Sequence, residues 1–108
     1  MKKKLYNCNA KFDTEDYTLI SYAIPVVSFR TFLRDGYAFK EVSIYRASMT
    51  TMQHIRKYIE KLKELERYDL ASLVRQAYDF SIAEHQQIYD FAMCPETGEV
   101  LYGDDISF

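Results

Sequence analysis

Apolar residues crowd two stretches near the start of the chain, Tyr17 to Ile24 and Val26 to Leu33. Both are rich in β-branched and aromatic side chains and predict strands, with a break at Pro25. Asp35-Gly36 follows. Both residues tolerate the positive φ of a two-residue turn, so the dipeptide predicts a hairpin in which Arg34 faces Tyr37. From that turn the register runs back along the strands: Phe32 opposes Phe39, Arg30 opposes Glu41, Phe29 opposes Val42 and Val27 opposes Ile44. One face then carries Val27, Phe29, Leu33, Val42 and Ile44. The other sets the Arg30–Glu41 charge pair beside the Phe32–Phe39 aromatic pair, each contributing about 0.2–1 kcal/mol.

Beyond residue 50 the period of the apolar positions changes from two to between three and four. Met52, Ile55, Ile59 and Leu62, flanked by Tyr58 and Leu65, form an apolar stripe, while Arg56, Lys57, Glu60, Lys61, Lys63 and Glu64 fill the opposite side. This predicts an amphipathic helix of about four turns. Thr50 to Gln53 is a capping box, with Ser48 as the competing N-cap. Asp69 offers a second cap ahead of Leu70, Leu73, Val74, Ala77 and Tyr78, and Ser81 with Glu84 offers a third ahead of Ile82, His85, Ile88, Tyr89 and Ala92. The spacing from Leu70 to Ala92 equally suits one continuous helix. Neither Gly nor Pro occurs between Gly36 and Pro95 to interrupt it. Met93-Cys94, Pro95 to Gly98 and Glu99 to Tyr102 predict a short terminal hairpin with Gly98 in the left-handed position. The fold class expected is α+β: an N-terminal antiparallel β-hairpin packed by two or three helices, with a short C-terminal strand or hairpin, in one domain over residues 1–108.

Composition supports one core, since 48% of the 108 residues are apolar and ten Tyr and seven Phe are among them. Lys2-Lys3-Lys4 has the basic character of a signal-peptide start, but Lys11, Asp13, Glu15 and Asp16 stand where its apolar stretch belongs. No run approaches the ~18–20 apolar residues of a membrane span, so a soluble, cytoplasmic protein without a membrane partner is expected. Cys8 and Cys94 lack companions at metal-ligand spacing. They are expected to be free thiols, with no metal and no cofactor.

Charge changes the picture more. Residues 1–75 hold all fourteen bases and nine acids, whereas residues 76–108 hold seven acids and no base, giving formal charges of +5 and −7. A surface of one sign steers partners of the other. The acids Asp79, Glu84, Asp90, Glu96, Glu99, Asp104 and Asp105 are interleaved with Tyr78, Tyr89, Phe91 and Tyr102. Carboxylates satisfy the same Arg and Lys groups that hold phosphates, and Tyr supplies contact area at low entropic cost. This segment is therefore the candidate surface for a basic, nucleic-acid-handling protein. The alternative surface is Arg46, Arg56, Lys57, Lys61, Lys63 and Arg67 around the first helix, with Arg30 and Arg34 on the hairpin, able to meet phosphates directly. Glu60, Glu64 and Glu66 interrupt it. Thr50-Thr51 serves as a cap first and an anion contact second. His54 and His85 have no nucleophile or carboxylate arranged about them in sequence, so structural roles are expected and catalysis is not.

The strand Ser21-Tyr22-Ala23-Ile24-Pro25-Val26, taken with the helix start Ser48-Met49-Thr50-Thr51-Met52-Gln53-His54-Ile55, resembles a group of small proteins of bacteriophages and mobile elements of Gram-positive bacteria. The resemblance covers about forty residues and brings no catalytic residue with it. It implies an accessory protein, in a class that includes inhibitors of host defence such as anti-CRISPR proteins. The chain differs from the pattern in its longer hairpin around Asp35-Gly36 and in its acidic end. Together these readings predict a non-enzymatic protein of the host cytoplasm that binds and inhibits a host nucleic-acid-handling protein through its acidic surface. The alternatives are nucleic-acid binding by the basic helix 51–67, and a phage structural component that dimerises through its helices.

Overall fold

The computed structural model describes residues 1–6 and 8–106; Asn7, Ser107, Phe108 and the side chain of Asp104 lie outside the described residues. The elements are β1 (Lys2–Lys4), β2 (Ala10–Asp13), β3 (Leu19–Ser21), β4 (Ile24–Arg34), β5 (Tyr37–Tyr45), α1 (Met49–Glu64), α2 (Tyr68–Ala83), β6 (Ile88–Met93), β7 (Val100–Tyr102) and a 3-10 turn, Gly103–Asp105. The seven strands form one antiparallel sheet in sequence order, and the helical hairpin between β5 and β6 packs on one of its faces. The fold is α+β, as expected, but the sheet is far larger than a hairpin.

The β4–β5 register is the one that Asp35-Gly36 predicts, from Arg34↔Tyr37 through Phe32↔Phe39, Arg30↔Glu41 and Phe29↔Val42 to Val27↔Ile44. Asp35 and Gly36 have φ of 53° and 82°, the two positive values of a type I′ turn. Val27, Val42, Ile44, Tyr89 and Phe91 line the helix-facing side, where Ile55, Tyr58, Ile59, Leu62, Leu73, Val74 and Ala77 meet them in one core. Each large side chain fully buried there contributes about 1.5–3 kcal/mol. The other face carries a smaller cluster of Phe39, Ala92, Cys94 and Leu101, with Phe32 and Ile106 against it.

Several expectations need correction. The break between the first two strands falls at Tyr22-Ala23 rather than at Pro25, and both residues are left-handed, with φ of 50° and 67°. Pro25 sits inside β4, beyond the last β4–β5 pair, where no ladder donor is needed on that side. The register shift between Leu19 and Ile20 is a bulge, and Val26 and Val27 are both buried as a result. Ser48 caps α1, its Oγ accepting from the Thr51 amide at 3.1 Å, so Thr50 lies in the first turn and the expected box does not form. Arg67, not Asp69, is the N-cap of α2, without a side-chain cap bond.

The largest correction concerns residues 81 to 92. There is neither a third helix nor a continuous one: α2 ends at Ala83, and Ile88–Met93 is a strand paired with β5 from Tyr45↔Ile88 to Lys40↔Met93. His85, at φ 56°, turns the chain, with Gln86 N–H bonded to Ser81 C=O at 2.9 Å and His85 N–H to Ile82 C=O at 3.1 Å. This is a Schellman ending built on a residue other than Gly. Glu66 ends α1 in the same way, at φ 61°. The terminal β6–β7 hairpin is present, with Gly98 at φ 76°. Two strands at the N-terminus were not anticipated. β1 is a sheet edge carrying three exposed lysines, a composition that disfavours pairing with a further strand.

Candidate functional site

The fold distributes the predicted acids over four places. Glu84, at the C-cap of α2, and Asp105, in the 3-10 turn after β7, both border a cavity of about 440 Å³ whose other walls include Phe80, Gln86, Tyr89 and Tyr102. Glu96 and Glu99 are exposed in the β6–β7 loop, at the far end of the strands. Asp90 lies on the sheet face away from the helices, where it accepts a hydrogen bond from the Ser43 hydroxyl at 2.5 Å. Asp79 is exposed on α2 and pairs with Arg75 at 3.2 Å. The Asp104 side chain, also in the predicted set, is outside the described residues.

The two tyrosines of that set are buried. Tyr78 is a core residue whose hydroxyl accepts from the Arg56 guanidinium at 2.9 Å. Tyr89 is 2% exposed, its ring in the core and its hydroxyl without a hydrogen-bond partner among the described residues. Burial, then the Glu84 carboxylate, and after it Tyr102 and Asp105, raise the pKa of that hydroxyl well above its ordinary value. These residues and Tyr89 itself border the cavity. No ion pair among the described residues engages Glu84 or Asp105. The C-terminal end of α2 adds its partial negative charge beside Glu84.

The basic set is less available than its sequence suggests. Arg46 donates from Nη2 to the carbonyls of Ser81 and Gln86 at 3.1 and 2.9 Å, tying down the last turn of α2. Arg67 binds Asp69 at 3.2 Å and stacks over Tyr17, 4.7 Å from the ring centroid, and its pKa is raised first by Asp69. Lys63 pairs with Glu60 at 3.6 Å, and Lys61 lies 5.1 Å from the Tyr6 ring centroid. Of the six, only Lys57 has no described partner among the hydrogen bonds, ion pairs and ring contacts. Arg30 is bound to Glu41 at 2.6 Å, a carboxylate only 5% exposed.

Two arrangements lay outside the predicted sites. Lys2, Lys4 and Lys11, with Ile20 and Tyr22, border a groove of about 520 Å³ on the sheet face opposite the helices. The second is buried and polar: Ser21 Oγ lies 2.8 Å from His54 Nδ1 and 3.5 Å from Thr51 Oγ1, and Ser48 Oγ donates to Thr51 Oγ1 at 3.2 Å. Tyr22 lies over the imidazole at 5.6 Å between centroids. His54 is 3% exposed, and burial followed by Lys57 lowers its pKa, so the ring is neutral near pH 7 and Nδ1 can accept the Ser21 proton. The Ser21-Tyr22 strand and the Ser48 to His54 helix start, far apart in sequence, thus meet at one joint. Among the described residues Ser21 and His54 have no carboxylate partner, and both are buried, an arrangement suited to fastening α1 to the sheet.

Cys94 is fully buried, with the Thr97 hydrogen bond acting first to lower its pKa, and Cys8 donates to the Leu5 carbonyl at 2.7 Å. They belong to different clusters, and among the described residues no group of His, Cys, Asp and Glu is placed to hold a metal ion. No helix among them is long and apolar enough to cross a membrane. Compared with protein-family models, curated proteins and solved structures, the chain shows no match.

Proposed function

We propose that this is a binding protein, not an enzyme, which engages a basic surface of a nucleic-acid-handling protein and blocks it. The observation that carries this reading is the contrast in free charge. Glu84 at the end of α2 and Asp105 in the turn after β7 make no ion pair among the described residues, whereas Arg46, Arg56 and Arg67 of the basic set are already committed to carbonyls, a phenol and a carboxylate. Unpaired carboxylates on a rigid frame compete with phosphates for Arg and Lys, and they steer encounter through their field. The resemblance to phage and mobile-element proteins supplies the setting: an accessory protein in a Gram-positive host, of the anti-CRISPR kind, acting in the cytoplasm. The acidic surface is narrower than the last 33 residues. It centres on Glu84 and Asp105, with Glu96 and Glu99 as a separate patch.

A second reading is direct nucleic-acid binding, favoured by the Lys2, Lys4 and Lys11 groove rather than by α1. One experiment separates the two. The tagged protein is incubated with nuclease-treated lysate of a Gram-positive bacterium, captured proteins are identified, and duplex DNA or RNA is added as competitor. The first reading expects captured proteins that bind nucleic acid and are displaced by it. Affinity of the isolated protein for oligonucleotide, falling with a log-log salt slope of about −0.9 per phosphate contacted, is the contrary result.

A further inference from the structure

We infer that the cavity bordered by Glu84, Tyr89, Tyr102 and Asp105 is a receptor for one arginine side chain projecting from the partner protein. This rests on the acidic-surface reading above and names the group that surface takes. Three features of different origin converge on a guanidinium. Two carboxylates that make no ion pair among the described residues line the cavity, and a planar fork of N–H donors can address both. The Tyr89 hydroxyl is buried and makes no hydrogen bond of normal geometry among the described residues, an unusual state for a phenol in a folded core. The Glu84 carboxylate is near enough to raise its pKa, so the hydroxyl can donate to that carboxylate while its remaining lone pair accepts an N–H from the ligand. The aromatic wall completes the site. Tyr102 stands edge to face with Phe80 at 4.9 Å and leaves part of its ring exposed, giving a cation a surface to lie against.

The volume, about 440 Å³, falls within the ~300–1,000 Å³ range of binding pockets. Two bases stand nearby: Arg34 donates from Nη2 to the backbone carbonyl of Asp105 at 3.3 Å, and Arg46 holds the carbonyls of Ser81 and Gln86, at the end of α2 and in its following turn. Both hold backbone carbonyls and leave the two carboxylates to the ligand. Lysine offers the same charge without the planar fork, and citrulline the same shape without the charge, so the three side chains separate the contributions.

The test is titration of the isotope-labelled full chain with the tripeptides acetyl-Gly-Arg-Gly-amide, acetyl-Gly-Lys-Gly-amide and the citrulline analogue, followed by aromatic and amide NMR shifts. The arginine peptide should give saturable shifts centred on Tyr89, Tyr102 and Glu84, with the lysine peptide weaker and the citrulline peptide without saturable effect. Glu84→Gln should weaken arginine binding about tenfold, the value of one charge-assisted hydrogen bond. Tyr89→Phe should weaken it less while leaving the remaining amide spectrum in place, and Glu99→Gln, in the remote patch, should leave it unchanged. Equal binding of arginine and citrulline, shifts centred elsewhere, or no arginine binding at tens of millimolar each overturns the inference. Should the arginine peptide fail while charge reversal at Glu84 and Asp105 still abolishes capture of a protein partner, the pocket is refuted and the proposed function stands. Arginine binding without any nucleic-acid-handling partner refutes the function and keeps the pocket.

Discussion

Ser21→Ala tests the joint between sheet and helix. The Ser21 hydroxyl is the 2.8 Å partner of His54 Nδ1, and both side chains are buried, so the substitution leaves a ring nitrogen desolvated and unpaired. A buried polar group left without its partner costs about 1–3 kcal/mol. The Thr51 hydroxyl, 3.5 Å from the lost oxygen, can take up part of the deficit, which places the expected loss at about 1–2 kcal/mol. For a domain of this size that corresponds to a fall in Tm of about 4–8 °C per kcal/mol. Urea denaturation followed by circular dichroism measures it. The double variant Ser21→Ala/His54→Leu removes both polar groups and should lose less than the sum of the single variants, because an apolar pair carries no unpaired atom. A Ser21→Ala protein within about 0.3 kcal/mol of the parent, or strict additivity in the cycle, refutes the role given to this contact.

Three further outcomes follow from the same structure. Gly36→Val should destabilise by at least about 1 kcal/mol in the same assay: an added Cβ meets nothing within 4 Å, so the whole cost is the φ of +82°, and unchanged stability would contradict the turn. Acidification from pH 7.5 to 5.5 should lower Tm more in the parent than in His54→Gln. The folded pKa of His54 lies below its ordinary value, so its contribution is complete above about pH 6.5 and is lost as pH falls toward the folded value; a larger fall in the variant refutes this sign. Chelator and reductant should leave Tm unchanged, since Cys8 and Cys94 are unbridged in separate clusters; a marked drop in either would require a bond or metal that these contacts do not contain.

The β4–β5 hairpin was legible because its turn and its side-chain pairing point to one register: Asp35-Gly36 supplies the turn, and the Arg30–Glu41 and Phe32–Phe39 pairs agree with it. The end of α2 was not, and the reason is physical. With only three glycines in the chain, left-handed positions fall to other residues, among them Tyr22, Ala23, Glu66 and His85, so the punctuation that marks a helix end or a turn is absent. Ile82, His85, Ile88, Tyr89 and Ala92 keep a helical spacing, while Tyr89 and Phe91 also alternate as a strand. Pairing with β5 decides between them. β1 is three lysines with no apolar position, and β2 alternates apolar and polar residues over only four positions, too few to stand out as a strand. The acid-only end was legible as composition, yet charge counting cannot show that Asp79 has a counter-ion, that Asp90 faces the other side of the sheet, or that Phe80 and Gln86 complete a cavity with Glu84.

The central claim is that the acidic end of α2 and the turn after β7, and not the basic helix, meet the partner. Its most direct test is the affinity of the captured partner for two charge-reversed proteins, Glu84→Lys/Asp105→Lys and Lys57→Glu/Lys61→Glu/Lys63→Glu, each first shown to unfold cooperatively. Reversing Glu84 and Asp105 should weaken binding about a hundredfold or more, since an interface attraction becomes a repulsion, while the lysine set should change it less than about threefold. Loss of binding in the lysine set with the acidic set unaffected would contradict the account and transfer the function to the basic surface.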